Sequence, residues 1–266
     1  MSTVVEVSFA ALPTALRWQP VMAPVPSPLS GRWDATRAIT LGLVGGYVDT
    51  VGYIMLRGLF PNHVTGNLPI AAANPGWEAI PLLTMVPLWL AAVVTAAAAA
   101  GRIERRRTWA ALPAVLGAEA VLLGLFLSLG VALVPHRDSA TLVTQTIVGA
   151  AGVGAMGVQS VVTRLGGYTF PTTMVTGTLT PLGMDGAQAL FQSDASRERA
   201  VLLRRMKAFG RVLLAFGIGA ALGGLLSTLF GFWAILLPLA AVTMCAYGET
   251  RVQAAAARPS TPDVLA

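Results

Sequence analysis

Two acidic side chains, Asp49 and Glu119, lie inside long apolar stretches of the sequence. A charged group is costly in the middle of a bilayer, so an acid there commonly carries a proton, binds a cation or pairs with a buried base. A structural carboxylate, hydrogen-bonded to hydroxyl or backbone groups, is the alternative for both. We favour a functional role for Asp49, because it alone belongs to a repeated motif, and keep Glu119 as a second candidate ion-binding residue.

The motif around Asp49 occurs twice, with the copies about 110 residues apart. The first, Val48–Leu68, reads V-D-T-V-G-Y-I-M-L-R-G-L-F-P-N-H-V-T-G-N-L. The second, Val158–Leu179, reads V-Q-S-V-V-T-R-L-G-G-Y-T-F-P-T-T-M-V-T-G-T-L. Gln159 takes the position of Asp49, so the pattern predicts one charged and one neutral half-site. Internal repeats of this kind govern the fold that a sequence predicts.

Both copies end in a threonine–glycine pair, Thr65-Gly66 in the first and Thr176-Gly177 in the second. If each pair opens a short helix, the threonine can cap it and the glycine leaves free N–H groups open to a ligand. With Asn67 beside the first pair, such a site suits an anion or a substrate carboxylate. Ordinary turn and cap residues remain the alternative.

Arg57 and His63 are the basic or titratable side chains closest to Asp49 along the first copy. Arg57 follows Asp49 by about two helical turns, so the two could pair on one helix face. We favour snorkelling of Arg57 towards the membrane surface. His63 lies near the outer entrance and could titrate there, but a lone loop histidine is usually solvated, and we favour that interpretation.

Long apolar blocks carry these residues. The chain is 55% hydrophobic and 11% charged, with a mean hydropathy of +0.69, whereas soluble domains carry about 25% charged residues. A spanning helix needs about 20 mostly apolar residues. The sequence therefore predicts an all-α membrane protein with six transmembrane helices, within Ala38–Leu59, Ile80–Ala100, Trp109–Val134, Thr141–Thr163, Ala208–Leu229 and Phe232–Gly248.

Basic residues are distributed asymmetrically around these blocks. Of the 18 Lys and Arg residues, 16 fall on one predicted side and only Arg57 and Arg137 on the other. The positive-inside rule then places both termini in the cytoplasm. The net charge of +6 is explained by this flanking pattern, and we expect no nucleic-acid partner. Residues 1–37 and 249–266 are predicted to be disordered cytoplasmic tails.

Each copy of the motif belongs to three spans, 38–134 or 141–248, so the second half must enter the membrane from the opposite side. The sequence therefore predicts two inverted three-helix repeats, an architecture shared by many secondary transporters. Val64–Ala73 is too short to cross, and Met174–Phe191 is interrupted by Pro181 and glycines. We predict that both are broken or re-entrant segments, and interfacial helices are the alternative.

Dense small residues, such as Gly42-xxx-Gly46 and Gly219-xxx-Gly223, let helices approach closely in lipid. They predict a compact bundle and leave open a homo-oligomer. The sequence contains no hydrolase triad order, metalloprotease motif, P-loop or dinucleotide fingerprint. We therefore predict that the protein is not an enzyme, has no cofactor and binds no metal.

Several motifs of the chain resemble those of the YoaK-like family of bacterial membrane proteins, a domain of unknown function. The resemblance covers roughly Arg37 to Tyr247 and implies a six-span bacterial inner-membrane protein with no established activity. It implies no substrate and no site residues. The motifs are Gly45–Tyr53, His63–Asn67, Val158–Gly167 and Val175–Leu179.

Taken together, these patterns favour a secondary transporter or permease for a small polar or anionic solute, coupled to protons through Asp49. The alternative is a non-transporting membrane scaffold, sensor or complex subunit. That alternative predicts small-residue faces that are open to lipid, whereas transport predicts a polar path between the two motifs.

Overall fold

The computed structural model describes residues 32–106, 110–165, 175–191 and 197–256, and these ranges contain helices and turns but no strand. Three short 3-10 turns, Val64–Gly66, Arg137–Ser139 and Gly231–Ile235, separate some of the helices. The eight α-helices are α1 (Arg32–Met55), α2 (Asn67–Ala73), α3 (Ala79–Arg106), α4 (Ala111–Leu133), α5 (Leu142–Leu165), α6 (Val175–Phe191), α7 (Arg197–Phe230) and α8 (Leu236–Ala256). Helices α1 and α8 extend into the predicted tails, whose remaining residues lie outside the described ranges.

Five helical stretches of the described chain are long and apolar enough to cross a membrane. The last of them, Arg197–Gln253, includes both α7 and α8. Gly231 interrupts it with a φ of +58°, a left-handed conformation that glycine adopts without strain. Phe232 and Ala234 are buried in the 3-10 turn that follows. A turn at Gly231–Ile235 therefore separates α7 from α8.

The longest helix contact joins α1 to α7. The two helices run in the same direction, since Gly42 lies beside Val212 and Tyr47 beside Gly223. Their backbones nearly touch: a Cβ atom added to Gly46 would lie 2.1 Å from the Phe216 carbonyl oxygen. No side chain larger than hydrogen fits there, and this close approach explains the small-residue pattern of both helices.

Helices α3 and α5 form a second parallel pair. Gly149 lies near Met85, and Gly157 lies against the backbone of Trp89. Helix α4 packs between α5 and α8. It also contacts the 3-10 turn before α8, where Phe126 and Phe232 meet edge to face at 5.2 Å. This contact is typical of aromatic pairs in a tightly packed interior.

Helix α8 runs back along α1. Arg37, near the start of α1, donates to Glu249 near the end of α8, and the Tyr47 hydroxyl donates to the Ala234 carbonyl at 2.9 Å. Arg37 also donates to Asp34 and is 2% exposed. A buried arginine at this depth is stable because two carboxylates compensate its charge.

The short helices α2 and α6 pack against α3 and α7, respectively. Helix α6 is continuous over 17 residues despite Pro181, so a broken helix there is wrong, whereas a re-entrant segment stays a prediction. A proline inside a helix removes one backbone hydrogen bond and crowds the carbonyl four residues before it, and here the packing of α6 on α7 offsets that cost. Asp185 in the same helix is buried and pairs with Arg205 of α7 at 3.2 Å, which fastens α6 to the bundle.

The helix directions place the basic residues mostly at one end of the bundle, where α1, α4 and α7 begin and α3, α5 and α8 end. Among the described residues, only Arg57 and Arg137 lie in connections at the opposite end. The asymmetry counted in the sequence is thus also an asymmetry of the folded bundle.

Candidate functional site

The candidate site begins at the end of α1, where the chain folds back on the helix. Arg57 and Gly58 both adopt left-handed backbone conformations, with φ values of +52° and +84°. The returning segment lies directly on Gly52, where an added Cβ would be 2.4 Å from Pro61 Cδ. The tight turn and this bare helix surface bring residues 62 and 63 back to the level of Asp49.

Asp49 accepts three hydrogen bonds from the returning segment. Its Oδ1 accepts from the backbone N–H groups of Asn62 at 2.8 Å and of His63 at 3.1 Å. Its Oδ2 lies 2.6 Å from Nδ1 of His63, and an Nδ1–H there donates to the carboxylate. Charge-assisted bonds of this kind are stronger than neutral ones. Asp49 therefore closes the junction between α1 and α2.

His63 links this junction to α7. Its ring packs edge to face against Phe216, with centroids 5.5 Å apart, and its side chain is 31% exposed. The hydrogen bond to the Asp49 carboxylate raises the pKa of His63 above its ordinary value, and the carboxylate charge raises it further, against an opposing effect of burial. His63 is thus a partly accessible histidine whose charged form is stabilised by Asp49.

The sequence interpretation favoured a solvated position for His63, and for Arg57 it favoured the membrane surface over a pair with Asp49. Arg57 pairs with Glu78 at 2.9 Å, and both side chains are exposed. It pairs with neither Asp49 nor any other buried acid of the described residues. Asp49 and His63 are 14 residues apart, which would separate them by about 21 Å on a continuous helix, so only the turn at Arg57-Gly58 reveals their contact.

The residues of the first threonine–glycine motif have different environments. Thr65 is exposed in the 3-10 turn, and no side chain caps the helix that follows. The predicted threonine cap is therefore wrong, because the 3-10 turn continues directly into α2 through Gly66, which is itself in the helical conformation.

Asn67 is fully buried, and both polar atoms of its side-chain amide form hydrogen bonds with the backbone of one residue, Phe60. Its Oδ1 accepts from the backbone N–H of Phe60 at 2.8 Å, and its Nδ2 donates to the Phe60 carbonyl at 3.0 Å. Asn67 thus stabilises the returning segment at Phe60, two residues before the first residue that Asp49 binds.

Gln159 occupies a different region from Asp49. It is buried in α5, and its Nε2 donates to the Leu41 carbonyl of α1 at 3.0 Å. Leu41 precedes Asp49 by eight residues, about 12 Å along a helix. The two repeat-equivalent side chains are therefore separated along α1 and do not form one cluster.

Glu119 lies within α4, is 0% exposed, and neither of its carboxylate oxygens has a hydrogen-bond partner among the described residues. Glu119 differs in this respect from Asp49, whose two carboxylate oxygens both have hydrogen-bond partners. Thr176 and Gly177 belong to the first turn of α6. Their side-chain environment, and with it the predicted approach of the two motifs, lies outside the described residues.

These features define a multi-pass helical membrane protein whose first span is joined to a short helix by a buried carboxylate. The chain matches the family described as "Protein of unknown function (DUF1275)" over residues 37–248, and it belongs to that family. No curated protein and no solved structure matches the chain.

Proposed function

We propose that the protein is a secondary transporter or permease for a small polar or anionic solute, coupled to protons and placed in a bacterial inner membrane with both termini in the cytoplasm. The observation that supports this proposal best is the pairing of helices. Helix α1 lies parallel to α7, and α5, which carries the second copy of the motif, lies parallel to α3.

Inverted repeats require such a pattern. Suppose that α1, α3 and α4 of the first half are equivalent to α5, α7 and α8 of the second half. Exchanging the halves then turns the contact between α1 and α7 into the contact between α5 and α3. The contact of α2 with α3 likewise becomes that of α6 with α7, and both contacts are present. Transporters built from inverted repeats bind their solutes where the halves meet, which supports a path beside α1 and α5.

The junction at Asp49 supplies a mechanism for proton coupling. A proton taken up by the carboxylate removes the charge that holds the Asn62 and His63 N–H groups, and so weakens the closure of the segment on α1. Thr65 and Gly66 lie at the accessible surface of the same junction, where a solute can reach them. Glu119 is a second candidate proton carrier, because its buried carboxyl lacks a hydrogen-bond partner among the described residues.

The test is flux into liposomes that contain the purified full-length protein, measured for a panel of small polar and anionic solutes with and without a pH gradient. We expect a gradient-dependent flux that Asp49→Asn lowers at least about tenfold, since losing one general proton-transfer group commonly costs 10²–10⁴-fold. Asp138→Asn is the matched control, because Asp138 is 88% exposed. Flux of no solute in a broad panel, or equal flux in both variants, contradicts the proposal.

A non-transporting scaffold or complex subunit is a second candidate, and one observation favours it. On α4, added Cβ atoms at Gly117 and Gly124 would meet nothing within 4 Å, and Val121 between them is 72% exposed. Such an open small-residue face can accept another helix in lipid. If this function is correct, a partner co-purifies with the native chain, and the double variant Gly117→Leu with Gly124→Leu releases it. The native chain then shows no solute flux in liposomes.

A further inference from the structure

Four basic residues form a stripe along one face of α7. Their positions advance by seven, three and four residues, which places them within about 80° of the helix circumference. All four side chains are exposed. The members of this basic stripe are Arg197, Arg204, Lys207 and Arg211.

The same face becomes apolar immediately beyond Arg211. Leu214 is 64% exposed, Ile218 46% and Leu225 57%, and their helical positions fall within about 40° of one another, at the edge of the basic stripe. One continuous face of α7 therefore carries cations at the end of the bundle and exposed aliphatic side chains towards its middle.

Other residues of α7 make the contacts that pack this helix against α1 and α6. Phe209, Val212 and Gly219 are buried, and α7 uses this side to pack on α1. Arg205 turns to Asp185 of α6. In contrast, Arg204, Lys207 and Arg211 form no ion pair within the described residues. A basic flank that only sets topology has no need to align its charges on one helix face.

We propose that this face binds an anionic phospholipid. The headgroup phosphate contacts Arg204, Lys207 and Arg211, and an acyl chain lies along Leu214 and Ile218. Ile218 lies about 10 Å beyond Arg211, within the roughly 15 Å hydrocarbon depth of one leaflet. A phosphate at the level of Arg211 thus places its acyl chain beside these two residues.

Lipid binding is measured by native mass spectrometry of the detergent-purified full-length protein, titrated with phosphatidylglycerol or phosphatidylcholine. The test variant carries Arg204→Gln, Lys207→Gln and Arg211→Gln. Each cation near a membrane surface changes anionic-lipid affinity by roughly fivefold, so we expect the triple variant to bind phosphatidylglycerol about 100-fold more weakly. The native chain should bind phosphatidylcholine more weakly than phosphatidylglycerol, and the triple variant should bind phosphatidylcholine as the native chain does.

The control variant removes three exposed charges from the same end of the bundle, at Arg102, Arg105 and Arg106 of α3. An equal loss in this control would assign the effect to net charge and overturn the proposal. Displacement of phosphatidylglycerol by equimolar inorganic phosphate would also overturn it, because the apolar half of the face would then contribute nothing. Thermal unfolding of each variant in the same detergent shows that the fold is retained.

This inference is independent of transport. The α7 variant is expected to lose anionic-lipid binding whether or not the protein moves a solute, and the Asp49→Asn variant is expected to keep it. The two proposals therefore fail separately.

Discussion

Asp49 and Gln159 hold equivalent positions in the two copies of one motif, yet they contact different parts of the molecule. Asp49 binds the segment that follows its own helix, through two backbone N–H groups and His63. Gln159 binds the Leu41 carbonyl on the other half of the protein. A buried carboxylate needs several donors at once, which a folded-back loop supplies, whereas an amide can bridge two helices.

A second difference between the copies lies three residues later. Gly52 admits Pro61 against α1, but the corresponding residue of the second copy is Val162, which is fully buried. The second copy therefore lacks both the bare helix surface and the carboxylate that close the first junction. The two features that close the first junction are therefore not repeated in α5, and the segment that follows α5 lies outside the described residues.

The largest effect should come from giving the first copy the valine of the second. Gly52→Val places a branched side chain where even a Cβ would be 2.4 Å from Pro61, so the junction cannot close. We expect a loss of about 4 kcal/mol in unfolding free energy, from overpacking and from the lost bonds to Asp49. Unfolding in mixed detergent micelles measures it. Gly124→Val, at an open position, is the control and should be nearly neutral, and an equally mild effect at Gly52 would contradict the geometry.

Neutralising the acid of the first copy should have a smaller effect. Asp49→Asn keeps an acceptor for the Asn62 and His63 N–H groups but loses the charge and the acceptor for His63 Nδ1. We expect a loss of about 2 kcal/mol, measured as above, together with faster proteolysis or hydrogen exchange between residues 56 and 63. Unchanged exchange in this segment would show that Asp49 does not hold it.

Removing the polar residue of the second copy should lower the unfolding free energy less than Asp49→Asn does. Gln159→Leu removes a hydrogen bond to Leu41, whose carbonyl retains its place in the α1 ladder. Hydrogen bonds between helices in membranes contribute about 0.6 kcal/mol on average, so we expect a loss of about 1 kcal/mol or less. A loss as large as that of Asp49→Asn would mean that the two halves are equally dependent on their polar residue.

The smallest effect concerns pH. Because the pKa of His63 is raised in the folded protein above its ordinary 6.5, its charged form contributes stability that is fully present below that value. The contribution is lost as pH rises through the raised pKa, and it is small because a neutral Nδ1–H still donates to Asp49. Stability measured between pH 6 and 8.5 should therefore fall slightly more for the native chain than for His63→Gln. Parallel pH curves for the two proteins would assign no such role to His63.

The membrane class and the main helices were predictable, because long apolar blocks have few ways to satisfy their backbones in lipid. Family membership was predictable from motifs around Asp49 and His63. Of the two forms predicted for the segment at Pro181, the broken helix was wrong, since the packing of α6 on α7 outweighs the lost hydrogen bond and the steric cost of one proline. The inverted arrangement and the transport function stay predictions.

By itself, the sequence determined which segments are apolar, which end of the bundle is basic, and that Asp49 is an exceptional residue. These are properties of composition and short-range order. Only the tertiary structure decided what Asp49 binds, because its partners come from a turn whose left-handed residues and bare glycine surface reverse the chain. It also decided that Gln159 reaches Leu41 and that Arg37 reaches Glu249, 212 residues away, since such contacts depend on how whole helices pack and leave no local pattern.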